Sequence, residues 1–405
     1  MNEATTESSR NGRGSAALLA LSGTLGVLFV GTLIATQLIR GPRIRAGVAV
    51  TSAAVALLLL VTLCLRFRPK VWLTALLFVG FYVGVEHLLA PVVMRPYGMK
   101  TYYYTKNPDH LPPFKFVPPG MNSDLARCLW EPEEFRPEGV NVIFIGDSFT
   151  HGALLEAEQA FPHLLTQRLR AEFPEADVKG VNLGWVSSSP YLDLRRLELQ
   201  GEHYHPDLVA LFVDMTDFQD DIKWRRRVER RGVYGWIYHF PFAMHAFESG
   251  FPEAFEEFYW ANNEEVPRKR FFMSEAPLEE TREACGELLA NLDAVSEWCE
   301  RVGARFVVYV LPRSYQYSDR ESPDNWEADQ YELLGPHSLE PFRLMAERAE
   351  EVDYPIRPLL EAFQQTEVFP TCFAHDPHWN PAGAQVAADA IWPTLRADVE
   401  ALIGP

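Results

Sequence analysis

Long uncharged stretches open the chain, and shorter apolar stretches separated by polar ones follow. The first, Ser15 to Ile39, runs for 25 positions without a charged residue, which exceeds the roughly 20 that a helix needs to cross a bilayer. Ala46 to Leu65 adds 20 such positions, and Val71 to Val85 adds 15. A cleaved signal peptide has a shorter apolar core of about 7 to 15 residues. The pattern therefore predicts a tail over residues 1–14 and a membrane anchor of two or three transmembrane helices over residues 15–94.

The third stretch decides which side of the membrane holds the rest of the chain. Glu86 and His87 interrupt it before apolar residues resume through Met94. Three spans place the C-terminal part opposite the N-terminus, and two place it on the same side. If three helices span, five basic residues flank each side, so the positive-inside rule does not choose an orientation. We expect Glu86 and His87 at the membrane interface, with an intramembrane role for the pair as the alternative, and the C-terminal part outside the cytoplasm.

The pattern changes near residue 140, where short apolar runs begin to alternate with stretches of helical spacing. Asn141 to Ile145 is an apolar, β-branched run, and Glu156 to Glu172 then places apolar residues at helical spacing. Continuous apolar strands between helices are typical of a parallel sheet covered on both faces. We therefore predict an α/β domain over residues 140–405. Further strands are predicted at Val178 to Leu183, Asp207 to Val213 and Arg305 to Leu311, and further helices end near Cys299 and begin at Pro381.

Two segments lack this alternation. Residues 95–139 are rich in Tyr, Phe and Pro and are predicted to form an irregular linker. Residues 223–277 are too long for a plain connection and are dense in aromatic residues. This insertion is interpreted as a lid over the active site or as a patch on anionic headgroups; the alternative is a helical excursion with solvated charges. It opens with the basic residues Lys223, Arg225, Arg226, Arg227, Arg230 and Arg231.

Charge separates the two parts of the chain. The formal net charge is -18, but residues 1–100 hold ten basic and three acidic side chains, a net +7, so residues 101–405 carry -25. Such an acidic body is expected to repel nucleic acid. No two of the five cysteines have the spacing of a zinc ribbon or a redox motif. We therefore expect neither nucleic acid as a partner nor a metal or other cofactor.

A candidate nucleophile follows the first predicted strand. Ser148 lies in the block Gly146-Asp147-Ser148, and reacting groups in open α/β sheets lie at the carboxyl ends of strands. A serine hydroxyl reacts only when a base takes its proton, and a carboxylate usually orients that base. The chain must therefore supply a histidine and an acid for Ser148.

Candidates for that base and acid lie near the C-terminus. Asp376 and His378 are two residues apart, so their side chains point the same way in an extended segment. The Asn380-Pro381 pair that follows signals the start of a helix. His375 is a rival base, but no acidic residue precedes it by two positions. We predict that Asp376 and His378 complete the triad, that His375 is a surface or supporting residue, and that Trp379 is a packing wall.

Acyl transfer also needs donors for the oxyanion. The backbone N-H of Gly184, after the second predicted strand, is one candidate, and the N-H of Ser148 is another. Thr216, after the third predicted strand, could present a hydroxyl to the same place. The neighbours Asp147, Asn182 and Asp217 are candidates for supporting this site.

These blocks, in this order, resemble those of the SGNH (GDSL-like) hydrolases. The resemblance covers residues from about 140 to 400 and rests on Gly-Asp-Ser, the Gly184 block, the Thr216 block and Asp376-x-His378. It implies a flavodoxin-like three-layer α/β/α fold with a parallel sheet, and serine-dependent action on esters through Ser148, His378 and Gly184. Two departures stand out. Thr216 replaces the oxyanion asparagine of the family, and the Asp-x-His-Trp spacing resembles polysaccharide O-acetyltransferase relatives.

The leading functional hypothesis is hydrolysis of O-acyl groups on cell-envelope glycans or lipids through an acyl-Ser148 intermediate. One alternative is O-acyl transfer to a surface polysaccharide, which requires a multi-span acyltransferase partner because two or three helices are too few to move an acyl donor across a bilayer. Another alternative is a binding module that has lost turnover, motivated by Thr216 at the asparagine position. Covalent labelling of Ser148 separates the enzymatic hypotheses from the last.

Overall fold

The computed structural model divides the chain into two compact units. One comprises residues 115–228 and 263–405 and holds the sheet; the other comprises residues 1–114 and 229–262. The described residues are 78–82, 120–229, 247–248, 250–261 and 263–404.

The predicted membrane anchor falls almost entirely outside the described residues. Residues 78–82, within the third apolar stretch, are helical. Glu86 and His87 lie outside the described ranges, as do the first two predicted spans. Among the residues that the structure describes, no helix has the length and apolar character needed to cross a membrane.

Five parallel strands form the main sheet of the unit that comprises residues 115–228 and 263–405, in the order β2-β1-β3-β4-β5, and two antiparallel strands form a separate hairpin. Strand β1, the second in this order, pairs on both sides, with Ile143 opposite Val181 in β2 and Val209 in β3. The strands are β1 (Val140–Gly146), β2 (Val178–Asn182), β3 (Leu208–Val213), β4 (Arg305–Val310), β5 (Ile356–Pro358), β6 (Cys372–Phe373) and β7 (Asp376–Trp379).

Helices cover both faces of this sheet, as two separate cores show. Successive residues of β1 enter different cores, because side chains alternate across a strand. Ile143 packs with α3, α7 and α8 on one face, and Phe144 packs with α2 and α10 on the other. The helices of this unit are α1 (Ser148–His151), α2 (Phe161–Glu172), α3 (Pro190–Gln200), α4 (Asp217–Glu229), α6 (Leu278–Thr281), α7 (Gly286–Val302), α8 (Glu340–Ala349), α9 (Leu360–Gln365) and α10 (Pro381–Ile403); helix α5 (Pro252–Ala261) belongs to the other unit.

The predicted parallel sheet is confirmed, and the four predicted strands correspond to β1, β2, β3 and β4 within one residue at each end. Strand β5 was not predicted, because three residues are too few to show a period. Helix α2 begins at Phe161 rather than near Glu156, since a 3-10 turn at Ala157–Gln159 precedes it and Pro162 stands in its first turn. Helix α10 begins at Pro381, as predicted from its cap.

The described part of the predicted linker, from residue 120, packs against the α/β domain. Arg127 forms a β-bridge with Asn182, and its guanidinium donates to the carbonyl oxygens of His151 and Gly152 at 2.8 and 2.9 Å. This segment therefore supports the loops beside Ser148.

The insertion is described at both ends. Helix α4 carries its first basic residues, and the three whose side chains are described each pair with a carboxylate. The side chains of Arg227, Arg230 and Arg231 are not among those described, so the lid and headgroup interpretations stay predictions. The ion pairs are Lys223 with Asp220, Arg225 with Glu287, and Arg226 with Glu265.

Candidate active site

The predicted nucleophile, Ser148, lies at the turn between β1 and α1. Asp147 caps α1 by accepting a hydrogen bond from the Phe149 N-H at 2.8 Å. Gly146 makes the turn at φ +153°, and a Cβ there would lie 2.6 Å from both the Phe212 carbonyl oxygen and the Thr150 hydroxyl. Only glycine fits this position. The turn places Ser148, with 6% of its surface exposed, at the carboxyl end of β1.

The β6–β7 hairpin brings the other two predicted triad residues to Ser148. His378 Nε2 lies 2.7 Å from Ser148 Oγ. On the other side of the ring, His378 Nδ1 contacts Asp376 Oδ1, which also accepts from the His378 backbone N-H at 3.0 Å. An Nδ1-H that donates to the carboxylate leaves Nε2 to accept the serine proton. The arrangement lines up a hydroxyl, an imidazole and a carboxylate, the three groups that a serine triad requires.

The environment of Asp376 keeps it ionised. Its partial burial raises the pKa, but hydrogen bonds from the His378 ring, from the His378 backbone and from the Trp326 indole outweigh burial and lower the pKa to about 2. A carboxylate with that pKa carries its full negative charge at neutral pH. It can therefore stabilise a histidine that gains a proton.

Asp147 has the opposite environment. Its side chain is buried, and its Oδ2 lies 3.0 Å from Ser148 Oγ. Burial, together with the nearby Asp214 carboxylate, raises the pKa of Asp147 to about 7, and Arg313 only partly offsets this. The Ser148 hydroxyl thus lies between a histidine and a carboxyl group that readily holds a proton.

A buried network of ion pairs packs against Phe149, the residue that follows Ser148. Arg313, directly after β4, donates from Nε and Nη2 to the two oxygens of Asp214, each at 2.6 Å, and from Nη1 to Glu327 at 2.6 Å. Its guanidinium carbon lies 4.7 Å from the ring centroid of Phe149. Burial raises the pKa of Asp214, but the paired Arg313 outweighs it and holds the pKa well below its ordinary value. The sequence analysis missed Arg313, although its place after a predicted strand was a signal.

Gly184 and Asn182 connect the loop after β2 to α1. The Gly184 N-H donates to Asn182 Oδ1 at 2.9 Å, and Asn182 Nδ2 donates to the Thr150 carbonyl at 2.8 Å. A Cβ on Gly184 would lie 2.5 Å from the His151 backbone nitrogen. In this structure the N-H of Gly184 is therefore engaged, and the residue lets two backbones approach closely.

Two other backbone N-H groups in this region are unengaged. Among the described residues, neither the Ser148 N-H, at the start of α1, nor the Ser187 N-H forms a hydrogen bond. Ser187 has φ +56°, which is rare for a residue other than glycine, and its carbonyl accepts from Trp224 Nε1 at 2.9 Å. Such strain in a loop beside a reactive group is a signal of function, and the sequence alone did not reveal it.

The remaining predicted residues have definite places. Thr216 donates its hydroxyl to Asp214 Oδ2 at 2.7 Å. Asp217 accepts from the Asp214 N-H at 2.8 Å, and burial raises its pKa well above the ordinary value. His375 is exposed at the tip of the β6–β7 hairpin. Trp379 is buried against Phe149, with ring centroids 4.8 Å apart.

Among the described residues, no group of three or more His, Cys, Asp or Glu side chains is arranged to hold a metal ion. Burial raises the pKa of the thiols of Cys128, Cys285, Cys299 and Cys372 to about 12, so these four are protonated at neutral pH.

Comparison with known proteins gives distant structural similarities. No family model matches the chain, and no curated protein matches it. The crystal structure of TesA is 18% identical, with a TM-score of 0.37, and the match covers 64% of this chain and 99% of TesA. A catalytic mutant of Axe2, an acetylxylan esterase from Geobacillus stearothermophilus, is 15% identical (TM-score 0.36; 63% and 94% covered). The esterase EstA from Pseudoalteromonas sp. is 13% identical (TM-score 0.34; 64% and 97% covered). At these values none of them assigns a function to this chain.

Proposed function

We propose that this chain is a serine-dependent ester hydrolase of the SGNH type. One observation carries the proposal: Ser148 Oγ lies 2.7 Å from His378 Nε2. The other ring nitrogen of His378, Nδ1, contacts the ionised Asp376. The distance between Oγ and Nε2 is within reach for proton transfer between a nucleophile and its base. The contact favours turnover over a binding module that has lost catalysis.

The first half of the reaction forms an ester on Ser148. His378 Nε2 takes the hydroxyl proton while Oγ attacks the substrate carbonyl carbon, and the electron pair of the C=O bond moves to the oxygen. Asp376 stabilises the resulting imidazolium. The tetrahedral intermediate then collapses, the bond to the leaving alcohol breaks, and His378 returns the proton to that alcohol.

The second half releases the acyl group. Water enters where the alcohol left, His378 takes one of its protons, and the oxygen attacks the acyl carbon. Collapse of this second intermediate breaks the bond to Ser148 Oγ, which regains its proton from His378. The products are a carboxylic acid and the free enzyme.

Backbone donors stabilise the oxyanion in both halves. We assign this role to the N-H groups of Ser148 and Ser187, because both are unengaged among the described residues. Helix α1 has only four residues, so its dipole contributes little to stabilising the oxyanion. The direct hydrogen bonds are therefore the main electrostatic contribution. The Gly184 N-H can stabilise the oxyanion only after it breaks its hydrogen bond to Asn182. The Thr216 hydroxyl must likewise break its hydrogen bond to Asp214.

The substrate we propose is an O-acyl group on a cell-envelope glycan or lipid. Trp326, whose indole contacts Asp376, is 53% exposed. A large aromatic ring that stays exposed beside the triad offers a stacking surface for a sugar ring. The predicted membrane anchor would hold the domain near the envelope, outside the cytoplasm. Transfer of the acyl group to a polysaccharide hydroxyl, with a multi-span partner, would use the same acyl-Ser148.

Labelling and turnover of the full-length chain in detergent test this proposal. The native chain, Ser148→Ala, His378→Ala and His375→Ala would be compared for p-nitrophenyl acetate hydrolysis and for fluorophosphonate labelling. We expect both signals to disappear in the first two variants and to persist in His375→Ala, since that exposed histidine occupies the same hairpin without reaching Ser148. A folded native chain that neither labels nor turns over would replace this proposal with the binding module.

A further inference from the structure

A long loop between β4 and α8 holds the hairpin that carries Asp376 and His378. Glu321, buried in this loop, accepts hydrogen bonds at 2.6 Å from the Thr371 N-H and at 3.2 Å from the Cys372 N-H. Ser322 donates its hydroxyl to the Asp376 carbonyl at 3.0 Å. These hydrogen bonds hold the hairpin against the loop over residues 311–339, which we call the clamp. They also fix the backbone of Asp376.

The same clamp reaches the carboxylate of Asp376. Trp326 Nε1 lies 3.1 Å from Asp376 Oδ2, and the other oxygen, Oδ1, contacts His378 Nδ1. Each carboxylate oxygen thus has its own donor. An Asp side chain turns easily about its last torsion, so a donor on Oδ2 restricts the rotation that would carry Oδ1 away from the histidine.

Buried ion pairs fix the position of Trp326. Its neighbour Glu327 is 1% exposed and pairs with Arg313 at 2.6 Å and with Arg270 at 2.7 Å. The Arg270 guanidinium carbon also lies 5.5 Å from the centroid of the Trp326 ring. The indole is therefore exposed and yet held in place, which suits a group that must keep one geometry.

We propose that Trp326 is a positioning residue of the triad, whose indole N-H holds Asp376 in the orientation that His378 requires. This inference rests on the proposed serine mechanism and names a fourth member of the site. Trp326 acts on catalysis through Asp376 and takes no proton itself. Its loss would leave one oxygen of a partly exposed carboxylate to water, and the productive orientation would be less populated.

The full-length chain with Trp326→Phe tests this, because phenylalanine keeps an aromatic ring and loses the N-H. Tyr331→Phe is the matched control: it removes the hydroxyl that accepts from Asn325 Nδ2 at 2.7 Å, in the same loop but away from Asp376. For p-nitrophenyl acetate we expect Trp326→Phe to lower kcat by about 10-fold and to change KM little. Tyr331→Phe should match the native chain in both constants.

Each contrary result has its own meaning. An unchanged kcat in Trp326→Phe, with a native chain that labels and turns over, would overturn the positioning role and leave the serine mechanism standing. Equal losses of kcat and of thermal midpoint in both variants would show that the loop acts only as structure, which also overturns it. A folded native chain with neither labelling nor turnover would remove the serine mechanism and this role together.

Discussion

Asp147 Oδ2 lies 3.0 Å from Ser148 Oγ, on the same hydroxyl that lies 2.7 Å from His378 Nε2. One hydroxyl has one proton, so an ionised Asp147 would compete with the histidine for it. A protonated Asp147 would instead donate to Oγ and leave the serine proton for His378. Burial and the absence of a direct cationic partner in the described structure favour the protonated form, since the donors of Arg313 are used by Asp214 and Glu327.

We therefore predict that Asp147→Asn stays active. Its oxygen can still cap α1 at the Phe149 N-H, and its amide can donate to Ser148 Oγ in place of the carboxyl proton. We expect kcat for p-nitrophenyl acetate within about threefold of the native value, whereas Asp147→Leu, which loses the donor and the cap, should lose at least about 10-fold. A large loss in Asp147→Asn would show that the negative charge is required.

The same residue predicts a pH dependence of stability. The pKa of Asp147 is raised by burial to about 7 in the folded chain, and it is about 4 in the unfolded chain. Between these values the folded state binds more protons, so the free energy of unfolding falls as pH rises, by about 1.4 kcal/mol per pH unit from this group. Denaturant unfolding from pH 4 to 7 should show the native chain losing stability relative to Asp147→Asn. If the free energies of unfolding of the two chains changed equally with pH, the prediction would be contradicted.

Arg313 predicts a different kind of defect. Arg313→Met leaves Asp214 and Glu327 buried without their shared cation, and breaking one partner out of a buried pair costs about 3 to 5 kcal/mol. We expect that loss in the free energy of unfolding, measured with urea. Arg343→Met is the control, because Arg343 pairs with carboxylates on an exposed helix face, where a lost pair changes stability little. Equal effects of the two substitutions would show that the buried network is not what stabilises the site.

These residues also show which structural features can be predicted from the sequence alone. The Asn380 cap is local: its Oδ1 accepts from the Ala382 and Gly383 N-H groups at 2.8 and 3.0 Å, so two adjacent residue types predict it. The strand runs are local too, and their carboxyl ends placed Ser148 correctly at the edge of the sheet.

Partners distant in sequence were not predictable. Arg313 and Asp214 are 99 positions apart, and Trp326 and Asp376 are 50 apart. No period or motif joins them, because a loop sets each contact, and the conformation of a loop follows from packing around it. The strained φ of Ser187 was hidden for the same reason: serine is not the residue that a left-handed backbone favours.

Gly184 and Ser187 complete the set of predictions, since they separate close packing from hydrogen bonding in one loop. A Cβ at Gly184 would lie 2.5 Å from the His151 nitrogen and 2.8 Å from the Thr150 carbonyl carbon. These are backbone atoms of α1, so Gly184→Ala must move the helix that carries Ser148, and a displacement near 1 Å costs about 100-fold in kcat/KM.

Ser187→Gly is the matched control. Glycine adopts φ +56° without strain and keeps the N-H assigned to the oxyanion, so kcat should be unchanged. Steady-state kinetics on both variants decide: full activity in Gly184→Ala would show that the loop and α1 can separate without displacing Ser148, and a loss in Ser187→Gly would show that the serine hydroxyl, rather than the backbone N-H, is needed.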